Sequence, residues 1–439
     1  MKAFRPNFSP GRGAWLAMTA VVTALATAPL ESSHAREAAA QLEVRRCNGP
    51  NMPFCDAQMP VPQQWRGVTF HLSQNYPTSL RPDAEPWRAF DPKVHSSDYL
   101  RAALGYFFEG QIDRNYELSF NPANNHVRTW YHAPWQDAGV NGREFVHGLT
   151  RERTSEAFEL HPLQSHVWHN YAVGLYNPTG AFTIGRVWAD HLSPDPSQAI
   201  FPEGTVAAKL LFTTAPVSEV PYLRGAPEWT AYVYANPNAI KPHPLIGDPR
   251  VLMKLRLLQI DIAVKDARAQ STTGWVFGTF IYGGGLKMRP GSGWSNVFPV
   301  GIMWGNDPGR EGSDQLTESR LNPDVLVPHY GWNGRLNGPV DNKLSACLSC
   351  HSTAEDPPPP MIPTVGADPA LWFRNLKSSE SFDGRGPSLD YSLALSTGIS
   401  NFKQAKRAAT MSPRPAAAAF YNQLKLADPR PPRDGGLTH

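Results

Sequence analysis

Residues 345–356 read SACLSCHSTAED, and the core Cys347-Leu348-Ser349-Cys350-His351 constrains this chain more than any other stretch. Two cysteines separated by two residues put both sulfurs on one side of a turn, and the adjacent histidine sets an imidazole beside them. Cys347 and Cys350 can then form thioethers to the two vinyl groups of a single haem c, with His351 as proximal ligand to its iron. Zinc would need a fourth ligand, usually a third cysteine, and the only other cysteines, Cys47 and Cys55, lie roughly 300 residues upstream. A thioredoxin-like dithiol expects a βαβ context near the chain start, which this C-terminal position lacks. Haem attachment leads, and zinc is a poor second.

Covalent haem attachment requires export, so the N-terminus matters. Lys2, Arg5 and Arg12 precede AWLAMTAVVTALATA, an apolar run of about 15 residues, and small-residue sites such as Ser33-His34-Ala35 follow. Residues 1–35 read as a signal peptide directing the chain to the periplasm. The run is short for a membrane span, and no later segment reaches about 18 uninterrupted apolar residues, so the mature chain is expected to be soluble and not membrane-spanning. The formal charge of +3 includes three basic residues and Glu31 in that leader; a mature charge of about +1 leaves no footprint for nucleic acid. Cys47 and Cys55 bracket a Gly/Pro/Asn turn in CNGPNMPFC, where an exported chain would form a local disulfide.

The chain has 439 residues and 43 prolines, about twice the average proline usage, which marks long shaped loops. Residues 36–150 form a loop-rich, partly helical N-terminal extension, with one helix in SSDYLRAALGYFFEGQ capped by Ser97 or Asp98. From residue 165, HVWHNYAVGLY, AFTIGRVWAD, TVAAKLLFTTA, WTAYVYA, KLRLLQIDIAVKD and GWVFGTFIY are β-branched and aromatic runs between turns, and NPTG at 177–180 is expected to connect a hairpin. The expected fold is mainly β with some α, with an antiparallel β haem domain over 151–356. DPPPP then ends any helix, a further helix is expected over about 389–405, and the Pro/Ala-rich remainder of 357–439 is tail, disordered from 412.

Alternation separates the strand faces. Val206, Ala208, Leu210 and Phe212 form one core stripe, and Leu258, Ile260, Ile262 and Val264 another. Opposite them lie Thr205, Ala207, Lys209 and Leu211, and Gln259, Asp261, Ala263 and Lys265. That second face is either solvated, carrying ordinary charges, or built with small residues to leave room for a haem at which Lys209 and Asp261 point.

Three segments in fixed order, FPEGTVAAKLLF, IAVKDARAQSTTGWVFGTFIY and CLSCHSTAED, resemble the cytochrome P-460 family over about residues 165–356. These are small exported c-type haem proteins with an antiparallel β fold. The resemblance implies that Lys209 matches the lysine cross-linked to the porphyrin edge, and that His351 matches the proximal iron ligand. Asp261 would match the distal carboxylate that moves protons during hydroxylamine oxidation, where the family has glutamate, one methylene longer. Lys209 would attack as the neutral amine, a state that burial favours by lowering its pKa. Relatives without the cross-link bind nitric oxide or carbon monoxide beneath an apolar cap, to which Phe277 and Phe280 could contribute here.

An ordinary cytochrome c, with a later methionine as sixth ligand, is the competing arrangement. Met411 is the better candidate for that ligand, and Met361, beyond a proline run, the weaker. His132 and His147, in the aromatic and basic segments WYHAPWQD and HGLTRER, are candidate distal ligands or entrance residues. A saturated iron makes an electron carrier that needs a redox partner protein or a small electron acceptor. An open iron binds or transforms a small nitrogenous ligand of the hydroxylamine or nitric oxide class.

Overall fold

Alternating apolar residues give an antiparallel sheet its buried face, and here they do so on a long central strand. The structure, a computed structural model, describes residues 72–111, 120–136, 149–190, 193–234, 250–283, 293–312 and 314–411, all within one unit, Val44–His439. Cys47, Cys55, His147, the leader and residues 412–439 lie outside the described residues. The strands are β1 (Leu149–Arg151), β2 (Asn170–Tyr176), β3 (Val206–Thr213), β4 (Glu228–Tyr234), β5 (Arg250–Lys265), β6 (Trp275–Tyr282), β7 (Val297–Met303) and β8 (Ser319–Leu321). They form one antiparallel sheet in the order β1-β2-β3-β5-β6-β7-β8, with β4 also paired to β5. The fold is therefore mainly β with some α, as expected. No helix among the described residues is long and apolar enough to cross a membrane.

Both predicted stripes are real. Val206, Ala208, Leu210, Phe212, Leu258, Ile260, Ile262 and Val264 are all buried in one core, beneath helix α1 (Ser96–Phe108). That helix buries Tyr99, Leu100, Ala103, Tyr106 and Phe107, a spacing that gathers one apolar face at 3.6 residues per turn. Gly278 lets it approach: a Cβ there would collide with the Leu100 side chain. The helix starts at Ser96, and its N-cap, His95, makes no side-chain capping bond. Neither Ser97 nor Asp98 caps it; Asp98 sits inside the first turn and pairs with Arg101 at 2.7 Å.

NPTG does not turn a hairpin, and AFTIGRVWAD is not a strand. Asn177 is the N-cap of helix α2 (Pro178–Val187), accepting from Gly180 N, with Pro178 at the first helical position. Asn-Pro reads equally well as a turn or as cap plus N1, and tertiary partners decide. Asn177 Oδ1 also accepts from Val206 N at 3.0 Å, and its amide donates to Gly204 O and Tyr106 Oη, each at 3.0 Å.

The other face of the sheet supports a second core. Helix α3 (Cys347–His351) and helix α4 (Leu393–Met411) belong to this layer, and α4 starts and ends later than the expected 389–405. Trp372, Phe373, Phe382, Leu389, Tyr391, Leu395, Ile399 and Phe402 pack there with Tyr76, Trp135, Trp188, Phe277 and Ile281. The chain after the Cys-x-x-Cys-His motif is thus tied to the sheet as far as α4.

Asn177→Ala removes a helix cap and leaves buried donors unpaired, which should cost about 2–3 kcal/mol. A clear fall in the thermal unfolding midpoint is expected; an unchanged midpoint would refute the capping role.

Candidate functional site

Antiparallel register aligns residues across a sheet, and side chains directly opposite one another share a face. Gly174 pairs with Lys209, Lys209 with Asp261, and Asp261 with Thr279, so these four make one row across β2, β3, β5 and β6. The next row on the same face is Tyr176, Ala207, Ala263, Phe277 and Met303. Glycine and two alanines thin this face beside the charged pair. A Cβ at Gly174 would meet nothing within 4 Å, so the row opens onto space.

Lys209 Nζ lies 3.4 Å from Asp261 Oδ2, and the side chains keep 31% and 20% of their surface accessible. Both are nevertheless surrounded by protein. Accessible surface on deeply placed side chains is what lining a hollow produces. Gln259 Nε2 donates to both Asp261 oxygens at 2.8 Å and reaches Asp341 Oδ2 at 3.3 Å. Thr279 Oγ1 donates to Asp261 Oδ1 at 2.9 Å and lies 3.7 Å from Cys347 Sγ.

The motif reaches this row as a one-turn helix. In α3, Cys347, Cys350 and His351 occupy positions i, i+3 and i+4, which share a helix face, while Leu348 and Ser349 are buried. Leu336 O accepts from Cys347 N at 3.1 Å, and Ser349 Oγ accepts from Ala346 N at 2.8 Å. His351 Nδ1 lies 2.8 Å from the Tyr391 carbonyl oxygen. A carbonyl only accepts, so Nδ1 carries the hydrogen and Nε2 keeps its lone pair as a ligand. The Phe277 ring meets the imidazole edge-on, with centroids 4.8 Å apart at 64°.

Electrostatics differ from expectation at Lys209. Burial works against its charge, but Asp261, Glu152 and Asp341 outweigh burial and hold the ammonium well above the usual lysine range. The expected lowering does not occur, because three carboxylates converge on one cation. Burial lifts Asp261 above the ordinary carboxylate range; Lys209 opposes that and Asp341 adds to it. Burial also raises the Cys347 thiol and pushes Cys350 up to about 12. His351 falls to about 4, from burial first, with Lys209 adding to the shift, so the ring is neutral at physiological pH.

The row therefore brings Lys209, Asp261, Cys347, Cys350, His351 and Phe277 to one side of the sheet. Phe280 is not among them. It pairs with Ile260 and is buried in the core under α1, because one residue of register changes the face. Met361 is 53% exposed, and Met411 ends α4. His132 is buried, with Nδ1 3.3 Å from Gly174 O, at the β2 end of the row. Sequence reasoning did not single out Gly174, Thr279, Asp341, Glu152 or Tyr391. A glycine inside an apolar strand was a usable signal for open space or close approach; the others needed tertiary contacts.

The residues present fit a haem: a neutral histidine with Nε2 uncommitted, two thiols on its helix face, and a thinned sheet face beside them. Compared with known proteins, the chain matches no family model, no curated protein and no solved structure.

In protein carrying no cofactor, both thiols should alkylate slowly. Raising Cys350 from 9 to about 12 cuts the thiolate about 1000-fold, and higher basicity restores about 30-fold, leaving labelling at pH 8 about 30-fold slower than in urea. Peptide mass spectrometry after timed iodoacetamide labelling measures this, and equal native and denatured rates would contradict the buried setting.

Proposed function

We propose that this chain is an exported monohaem c-type cytochrome of the P-460 kind, working in the periplasm with an open distal position for a small nitrogenous ligand. What carries the proposal is one convergence. The Cys-x-x-Cys-His helix lies against the Lys209–Asp261 row, with Cys347 Sγ 3.7 Å from the Thr279 hydroxyl that bonds Asp261. Segments far apart in the chain, each picked out for the same chemistry, meet beside one row of the sheet.

Cys347 and Cys350 would hold the haem c covalently, and His351 Nε2 would bind its iron. Bound there, the haem supplies one-electron redox chemistry and a coordination position. The protein's part is proton control. Asp261 has its proton affinity raised by burial and by neighbouring Asp341, against the pull of Lys209, which suits a carboxyl that takes and returns protons. Lys209 is held as the ammonium 3.4 Å from the Asp261 carboxylate, and its nitrogen would have to lose a proton before it could act as a nucleophile. Asp261 would be placed to accept that proton, and to move protons during hydroxylamine oxidation. Electrons would leave to a redox partner protein or a small acceptor.

An electron carrier with six-coordinate His/Met iron, or a gas-binding haem protein, is the alternative. Exposed Met361 does not favour the carrier, whereas the charged pair favours proton-coupled chemistry. The gas-binding form keeps the same site without turnover.

Denatured wild-type protein should retain haem stain, and Cys347→Ala with Cys350→Ala should abolish it. Carbon monoxide should shift the reduced spectrum of the wild type, and an unmoved spectrum would favour the six-coordinate carrier. Lys209→Leu should convert a red-shifted reduced spectrum into an ordinary c-type one, and Asp261→Ala should reduce hydroxylamine-dependent dye reduction at least 100-fold. A haem peptide with no mass link to the Lys209 segment would sink the cross-link; retained gas binding without turnover would assign the gas-binding role.

A further inference from the structure

The carbonyl that accepts from His351 belongs to a strained and heavily anchored segment. Tyr391 has φ of 66° and Asp390 before it has φ of 47°. Aspartate visits this left-handed region readily, but a bulky tyrosine there is an outlier that its surroundings must over-determine. Leu389 N donates to Ala354 O at 2.8 Å, and the Tyr391 hydroxyl donates to Leu376 O at 2.5 Å. The decisive anchor lies between them. Asp390 is wholly buried, and its carboxylate accepts from Lys265 Nζ at 2.7 and 2.9 Å, Trp275 Nε1 at 2.8 Å and Phe201 N at 2.8 Å.

Two of these donor residues, Lys265 and Trp275, belong to the sheet. Lys265 closes β5 and pairs in register with Trp275, which opens β6. Lys265 Nζ also reaches Ser378 Oγ and stands 4.9 Å from the centre of the Trp275 ring. Two buried charges are an expensive way to join two segments, since well-packed apolar residues can serve as well for stability. A role beyond stability has a place here, because the residue after Asp390 carries the carbonyl on which His351 hangs.

We infer that the Lys265–Asp390 ion pair is the positioning group for the proximal histidine, tying the Tyr391 carbonyl to the sheet and setting the hydrogen bond on His351 Nδ1. This rests on the proposed ligation of haem iron by His351. A well-aligned acceptor at Nδ1 makes Nε2 a stronger donor, which stabilises the oxidised iron and stiffens the iron–histidine bond. Slackening the anchor relaxes the pair of left-handed residues, lengthens the Nδ1 bond and reverses both effects.

Removing one partner would strand the other charge in the interior, so the test uses Lys265→Met with Asp390→Asn in one holoprotein. Trp275→Phe, which deletes a single donor to Asp390, is the milder variant should the double one fail to fold. The double variant should move the haem midpoint potential to more positive values and lower the iron–histidine stretching frequency in the reduced state. Trp275→Phe should move both in the same direction by less. Phe107→Leu, in the core beneath α1 on the other sheet face, should lower the thermal midpoint while moving neither. A folded double variant, or failing that Trp275→Phe, with potential and frequency both unchanged overturns the inference. Absence of haem from wild-type protein would instead overturn the haem reading alone. The His351 ring nitrogens of the cofactor-free chain, followed by 15N NMR, would still report the Nδ1 bond. Loss of that bonded signal in the double variant supports the positioning role, and its persistence refutes it.

Discussion

The antiparallel register of β2, β3, β5 and β6 is the constraint on which the rest depends. It sets Gly174, Lys209, Asp261 and Thr279 in one row. A slip of one residue would send Lys209 and Asp261 under α1 and expose the stripe that now packs there. The apolar stripe makes such a slip prohibitive, because it would exchange Val206, Ala208, Leu210 and Phe212 for Lys209 and its neighbours in a closed core. The site is therefore held by packing on the face that carries no chemistry.

The site face is covered too, by a second core to which the chain after the Cys-x-x-Cys-His motif adds Trp372, Phe373, Phe382, Leu395 and Phe402 among others. Small residues keep that cover from closing onto the row, and several polar groups left there bond one another. Gln259 bridges Asp261 and Asp341, and Thr279 bridges Asp261 and Cys347. A lysine among three carboxylates keeps its charge despite burial, while burial, with Lys209 adding to it, leaves His351 neutral although the Tyr391 carbonyl and Asp341 favour its charge. One hollow thus holds a stored proton on Lys209 and a neutral ligand at His351.

Local chemistry was legible wherever it depended on spacing. Cys347, Cys350 and His351 share a helix face because three and four residues nearly complete an α-helical turn, and Lys209 and Asp261 share a sheet face because strands alternate. The same alternation foretold the core stripes. It also parts Phe280 from Phe277, because residues three apart on a strand face opposite ways and β6 pairs with β5 without a shift. Asn177-Pro178 was misjudged because cap and turn use the same residue types, and the deciding bonds come from Val206, Gly204 and Tyr106. The charge state of Lys209 was misjudged for a similar reason: its own strand shows burial, and the opposing carboxylates arrive from elsewhere.

By itself, the sequence determined the β character of the chain, the two faces of its central strands and the helix-face clustering of the Cys-x-x-Cys-His residues, all of which follow from periods of 2.0 and 3.6 along one segment. Only tertiary structure decided which segments meet. It brought the motif against Thr279, gave Lys209 its carboxylates, and aimed the Tyr391 carbonyl at His351 through Asp390, Lys265 and Trp275. Those contacts join residues tens to well over a hundred positions apart, and no periodicity within a segment encodes the partner that a distant segment will present.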